Sequence, residues 1–408
     1  MNRWLEERRP IIDLLRQAHS YGDMSSFSLH QRRMVLITHP DHVMHALVRQ
    51  EQNYRKRSHR AGVLLGRGLL TADGAQWARH RRLLQPQFSS AGVRRFQPHI
   101  TDAAQRTAHL WDRLASQGSV ADITAHFQFF ALDTIWRAVT GDPLDEATYE
   151  ELRALEGIIE AIPDASGTLA HRPISLDQEI EAIDRVAYRA ITRARAGHCH
   201  GVLCELIRAG DLHPPLSDRQ IRDELVTLLV AGHETTAKTL AWTYLLLATN
   251  PEVESAIHAT LHSAKPTPPE RTLNALAYEV LRLYPVAWLI PRHVVTTDLV
   301  NGWCIPSGSE ALICPYLTHR DPKFWSDPDD FDPQRFAEPA QPCRRGTYYP
   351  FGVGQRTCLG QQFALQELRT LLALLLRHYH LELTVQPTAL FGSNLRPADR
   401  LTGRVHRR

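Results

Sequence analysis

The chain has 408 residues, 43% hydrophobic and 22% charged, the balance of an ordinary globular protein with room for two or three average domains or one large one. A formal net charge of +3 is too small for nucleic-acid binding as a main role. The six cysteines (199, 204, 304, 314, 343 and 358) are scattered, so they imply no disulfide framework and point to a reducing compartment.

Met1 to Leu15 alternates charged with apolar residues and lacks the continuous apolar run of a signal peptide or membrane anchor. The longest such run, Leu371 to Leu376, is far too short to span a bilayer. The spacing predicts an amphipathic helix over 3–20, ended by Gly22. Met34-Val35-Leu36-Ile37 reads as a strand, and 41–50 as a second helix. Residues 55–72 are basic, Gly-rich and aperiodic, and a loop of that length is usually functional or disordered. Trp77 and Arg81 stand four apart on one helical face. An indole N–H beside a guanidinium suits an anion such as a carboxylate.

Helical patterns follow over 93–117, 121–140, 145–162 and 175–196, with Pro163 to Pro173 joining the last two. His198-Cys199-His200 with Cys204 lacks the spacing of the usual structural zinc sites and reads as a loop with incidental ligands. Ser217 and Gln220 form a capping-box pattern, and the helix they open runs to about Thr249. Its middle, Ala231-Gly232-His233-Glu234-Thr235-Thr236, places a glycine and two β-branched threonines where a helix disfavours them. Such violations tend to mark functional sites. A short helix over 251–264 follows. Over 271–283, Glu279 and Arg282 stand three apart on one face. Pro291-Arg292-His293 opens a strand, and the tail from about 381 to 405 reads as strands around Phe391.

The most informative stretch is Phe351-Gly352-Val353-Gly354-Gln355-Arg356-Thr357-Cys358-Leu359-Gly360. Two glycines allow a tight turn or a close approach to something flat. The cysteine lies just before an apolar helix over 359–378, where the macrodipole favours its thiolate. A thiolate is a nucleophile or a metal ligand, and no neighbouring histidine serves as a base, so a ligand is the better reading. Gly360 lets the first turn pass close to a bulky group.

This order of Phe, Gly, Gly, Arg, Cys and Gly resembles the haem-binding loop of the cytochrome P450 family at every fixed position. The resemblance implies a mostly α fold with a smaller β portion (α+β), a single domain over 1–408, and haem b between the long central helix and the helix after the cysteine. It implies Cys358 as the thiolate ligand of the iron, an arrangement that favours O–O cleavage. Phe351 and Gly352 would lie near the ring, and Trp77, Arg81, Arg292 and Arg356 at the propionates. Ala231, Gly232, Glu234 and Thr235 resemble the family's oxygen-binding motif, with Gly232 letting the helix approach the iron and the acid and hydroxyl managing protons. Glu279, Arg282 and Arg335 resemble its structural ion trio, in which extra partners offset desolvation.

The same resemblance implies a cytoplasmic monooxygenase without a membrane anchor, acting as a monomer. It takes O2, an apolar small molecule and electrons from a separate ferredoxin or flavodoxin-type donor with its reductase. Arg79, Arg82, Arg344 and Arg345 would face that donor on the sulfur side. Leu70, Val286, Trp288, Leu289 and Phe391 are expected to line the substrate pocket, which favours a terpenoid, fatty acyl or other natural-product scaffold. Two other readings stay open: a peroxide-using enzyme, which in this family typically lacks the acid–threonine pair, and a haem-thiolate ligand-binding or redox-sensing protein without turnover.

Overall fold

The computed structural model describes residues 10–29, 31–57, 61–155, 176–209, 215–262, 269–337 and 345–408. The first residues of the expected 3–20 helix, the end of the 145–162 helix with its joining segment, residues 263–264 and Arg344 lie outside them.

Helix α1 (Ile11–Ser20) buries Ile11, Ile12, Leu14, Leu15 and Ala18 on one face, the 3.6-residue stripe that makes a helix dock. Strands β1 (Met24–Leu29) and β2 (Arg32–Ile37) form an antiparallel pair. The expected 41–50 helix has two geometries: α2 (Pro40–Met44), opened by His39, whose ring accepts the Asp41 N–H, and a π-helical turn over His45–Arg49. β3 (Tyr54–Arg55) follows, and the aperiodic loop after it holds a one-turn helix, α3 (Gly62–Leu65).

Next come α4 (Gly74–Leu84), α5 (Gln97–Gln117), β4 (Val120–Asp122), α6 (Ile123–Thr140), α7 (Glu146–Leu152), α8 (Asp177–Arg195) and α9 (Val202–Arg208). The turn between α8 and α9 carries a correction. Cys199 and Cys204, with Cα atoms 5.4 Å apart, form a disulfide, because the turn brings them within bridging distance. The scattered cysteines are thus not all free.

Helix α10 (Asp218–Thr249) is opened by the reciprocal Ser217–Gln220 capping box. Its 32 residues span about 48 Å. It is buried on nearly every side, as a helix crossing a core must be. Trp242 stacks on Tyr284 at 3.9 Å. Behind α10 lies α6, where Phe127 stacks on Tyr244 and both meet Trp111 of α5.

The chain continues through α11 (Pro251–His262), α12 (Pro269–Leu283), β5 (Ile290–Val294), β6 (Asp298–Val300), β7 (Trp303–Ile305), β8 (Glu310–Ile313), α13 (Pro315–Thr318) and α14 (Gln361–His378). It ends in β9 (Tyr379–Leu383), β10 (Ala389–Phe391), β11 (Leu395–Pro397) and β12 (Thr402–Arg407). The largest sheet runs β1-β2-β8-β5-β3, with only β2 and β8 parallel. A second sheet runs β4-β12-β9, and β6–β7 and β10–β11 are separate pairs. Among the described residues no helix is long and apolar enough to cross a membrane.

Glu279 and Arg282 of α12 meet as a bidentate pair at 2.7 and 2.8 Å, both fully buried. Arg282 spends its other donors on the carbonyls of His319, Pro328 and Asp330. Arg335 reaches Glu279 at 3.4 Å, and the Asp332 N–H donates to the same carboxylate oxygen. This knot ties α12 to the segment that leads into the cysteine loop.

Candidate active site

The cysteine loop is a closed turn. The Cys358 N–H donates to the Phe351 carbonyl at 2.8 Å, and the Thr357 N–H to that of Gly354. Gly352 and Gly354 have φ of +72° and +83°, values that disfavour any side chain. A Cβ on Gly354 would also lie 2.1 Å from the Leu47 carbonyl oxygen. Around Gly360 a Cβ would meet only open space.

Cys358 is exposed, yet it lies so deep among the chain's atoms that burial pushes its thiol up. Both hold where the sulfur opens onto interior space and not onto bulk water. The Gly360 N–H and Arg81 pull the other way, but burial wins. This corrects the expectation that the helix terminus alone favours the thiolate. Cys358 stands three residues before the first helical residue, Gln361, and the dipole effect fades within a turn. A cation at the sulfur would favour the thiolate.

Beside the cysteine loop stand cations with too few anions. Arg81 donates to the Thr357 carbonyl at 3.0 Å, which fixes α4 to the loop. Arg356 lies 4.3 Å from the Trp77 ring centroid and bonds Asp73 at 2.6 Å and the Ala72 carbonyl at 2.9 Å. Burial, then Arg356 beside it, holds the Arg292 guanidinium down to about 10. Lys56 is held down to about 7 by burial, then by Arg292 and Arg356. Among the described residues, Glu51 and Asp73 supply the opposing charge felt by Arg292. Like charges gathered in a buried place call for an anionic partner. Sequence reasoning missed Lys56. One signal was available, since it is one of only four lysines and stands in the loop expected to be functional.

On α10, Ala231 is exposed and Gly232 and Thr235 half-exposed, although the helix around them is buried. They too face interior space. The Thr235 hydroxyl donates to the Ala231 carbonyl at 2.8 Å. Glu234 is buried and paired with Lys238 one turn on, and Asn394 approaches it at 3.4 Å. The Glu-to-Lys spacing of four was legible; Asn394, from the tail, was not. Burial, then Lys238, pushes the His233 imidazole down to about 3.

Two expectations need correcting here. A Cβ on Gly232 would lie 2.8 Å from Ile135 Cγ1 on α6, so the glycine serves the close packing of two helices and not only the approach to the open side. The second concerns the substrate residues. Trp288 and Val286 are buried, with the Trp288 indole donating to the Gly392 carbonyl at 2.8 Å and packed edge-on against Phe391. Ala287, between them, is the exposed one. Leu289 and Phe391 are half-buried and Leu70 is exposed.

An open thiol, an anion-seeking ring of cations and an open stripe of small residues on the central helix fit one flat, dianionic, metal-bearing group. Fold and site together define a haem-thiolate protein. The family description "Cytochrome P450" matches residues 4–395. Cyclooctatin synthase of Streptomyces melanosporofaciens is 30% identical over 98% of this chain and 90% of its own. Cyclooctat-9-en-7-ol 5-monooxygenase of the same organism is 29% identical over 92% of this chain and 85% of its own. A six-coordinated cytochrome P450 of Thermus thermophilus shares the fold with a TM-score of 0.77 at 28% identity, covering 97% of this chain and 98% of that one. The chain belongs to the cytochrome P450 family. It is a monooxygenase of that family, and its cofactor is haem.

Proposed function

We propose that the chain inserts one oxygen atom from O2 into an apolar carbocyclic small molecule, with electrons from a separate protein donor. In balance, R–H, O2, two electrons and two protons give R–OH and water. Bound haem supplies the oxygen-activating iron chemistry. Cys358 would hold it through sulfur, and Arg81, Arg292, Arg356 and Lys56 would hold its carboxylates. The observation that carries this reading is the Cys358 thiol, open within the interior beside that cluster of cations with too few anions. Charge-assisted bonds of this kind are worth about 1.5–3 kcal/mol each. Arg81→Ala, Arg292→Ala and Arg356→Ala should each speed haem transfer to an acceptor protein. Unchanged retention in all three would remove the anchoring role.

Substrate class is read from the relatives' names and from the lining. One relative is named for oxidising an alkenol at position 5, and the half-buried groups here, Leu289 and Phe391, are apolar. Arg82 and Arg345 are exposed cations on the helix and segment flanking the cysteine loop, which favours an acidic donor such as a ferredoxin.

The same reading gives Thr235 and Glu234 the protons. Thr235 Oγ1 holds a proton at the open face of α10, and the Glu234 carboxylate, oriented by Lys238 and Asn394, passes protons toward it. The expected result for Thr235→Ala is intact haem and substrate binding with reductant diverted into hydrogen peroxide. Glu234→Gln should slow oxygen consumption itself. Product per electron at the wild-type level in Thr235→Ala would move the peroxide-using reading ahead.

A further inference from the structure

Nine residues beyond Cys358, on α14, stands Glu367, a carboxyl with no exposure at all. Each of its oxygens has a partner on a different helix. The Thr236 hydroxyl of α10 donates to Oε2 at 2.9 Å, and Oε1 meets the Thr134 hydroxyl of α6. Both threonines are buried. One carboxyl therefore joins the helix that follows the cysteine loop, the long helix at the residue after Thr235, and the helix packed behind it.

The proton count is informative. A hydroxyl has one hydrogen and two lone pairs. Thr134 Oγ1 also lies 3.0 Å from the Ala131 carbonyl, an acceptor one turn back on its own helix. If the hydroxyl hydrogen goes to Ala131, only lone pairs remain for Glu367, and the hydrogen between the two must come from the carboxyl. The chain then reads in one direction: Thr236 O–H to Oε2, Oε1–H to Thr134 Oγ1, and Thr134 O–H to the Ala131 carbonyl.

We infer that Glu367 is a protonated carboxylic acid that sets the rotation of the long helix at the acid–threonine pair, and so is a positioning residue for oxygen activation. The inference rests on the proposed proton role of Thr235. Among the described residues no cation stands near enough to stabilise the ionised form. Burial alone pushes Glu367 up to about 8, against the pull of the two hydroxyl bonds.

Among the described residues, the charged groups on the surrounding elements are engaged elsewhere. On α6, Asp133 is held by Arg106 of α5 and by Arg137. On α10, Glu234 pairs with Lys238, and His233 is neutral. On α12, Glu279 and Arg282 hold each other. On α14 itself, Arg369 reaches Asn274, and the uncharged Gln366 bonds Gln97.

The sign of the pH dependence follows. The folded chain binds this proton more tightly than the unfolded one, so the group's contribution to stability is greatest below the ordinary glutamate range. It declines as pH rises and is fully lost above about 8. The anion would repel no neighbour, but Thr134 would have to turn its hydrogen away from Ala131, and α6 and α10 would shift against α14.

The test uses haem-loaded protein with its electron donor, and three variants. Wild type should lose product per electron on going from pH 7 to pH 9, by up to about tenfold, the change in protonated fraction of a group titrating near 8. Glu367→Gln, whose amide can donate to Thr134 and accept from Thr236, should couple as well as wild type at pH 7 and stay flat to pH 9. Glu367→Leu should be uncoupled at every pH. Independently of turnover, infrared difference spectra should show a protonated-carboxyl band that shifts in D2O and is missing in Glu367→Gln. Absence of that band in wild type, or the same alkaline decline in Glu367→Gln, overturns the inference. A wild type whose coupling is flat with pH, alongside an uncoupled Thr235→Ala, overturns it while leaving the proton role of Thr235 standing. Full coupling in Thr235→Ala overturns both.

Discussion

Cys358→His is expected to abolish electron-dependent product formation while the protein still takes up haem. The two halves have separate causes. On the proposed reading, uptake depends largely on the cluster of Arg81, Arg292, Arg356 and Lys56, which the substitution leaves in place. On the proposed ligation, turnover depends on the sulfur, because an anionic thiolate pushes electron density toward O–O cleavage more strongly than a neutral imidazole. The loop itself should survive, since its closing bonds are backbone N–H to carbonyl contacts from Cys358 to Phe351 and from Thr357 to Gly354. Product formation would be followed with reductant and donor in excess. Retained turnover in Cys358→His would mean that the sulfur is not the ligand.

Arg282→Ala is expected to be the most destabilising single change outside the site, by about 3–5 kcal/mol, the cost of stranding one half of a buried ion pair. Every donor of Arg282 is used: two bonds go to Glu279 and three to the carbonyls of His319, Pro328 and Asp330. Its loss leaves Glu279 buried with only the Asp332 N–H and the more distant Arg335, and it frees the three carbonyls. Denaturant unfolding followed by the haem band would report the shift. The double variant Glu279→Gln with Arg282→Ala should be less destabilised than Arg282→Ala alone, because no uncompensated charge remains. A loss below about 1 kcal/mol in Arg282→Ala, the range of an exposed pair, would show that the knot is not sealed from water.

Local chemistry carried much of this fold. The Ser217–Gln220 box and the stop at Asn250-Pro251 bound the central helix within a residue of its observed span, Asp218–Thr249. The turn chemistry of Gly352 and Gly354 gave the shape of the cysteine loop. What local pattern does not carry is which distant residue fills a given space. Gly232 packs against Ile135, and Thr236 faces Glu367. Neither partner lies within a helical turn, so no periodicity points to it. Thr236 therefore has a role distinct from that of Thr235. Its removal would leave a buried carboxyl short of a partner.

The same reason explains Trp288. Its apolar character was legible, but not whether it turns toward the open space or into the core. The Gly392 carbonyl, more than a hundred residues away, decides that.

The most direct measurement is the absorption spectrum of reduced wild-type protein under carbon monoxide. If the interior space between α10 and the cysteine loop takes haem with the Cys358 sulfur as its ligand, the Soret band is strongly red-shifted, as thiolate ligation requires. A band at the unshifted position typical of a neutral nitrogen ligand, in protein fully loaded with haem, would contradict the account.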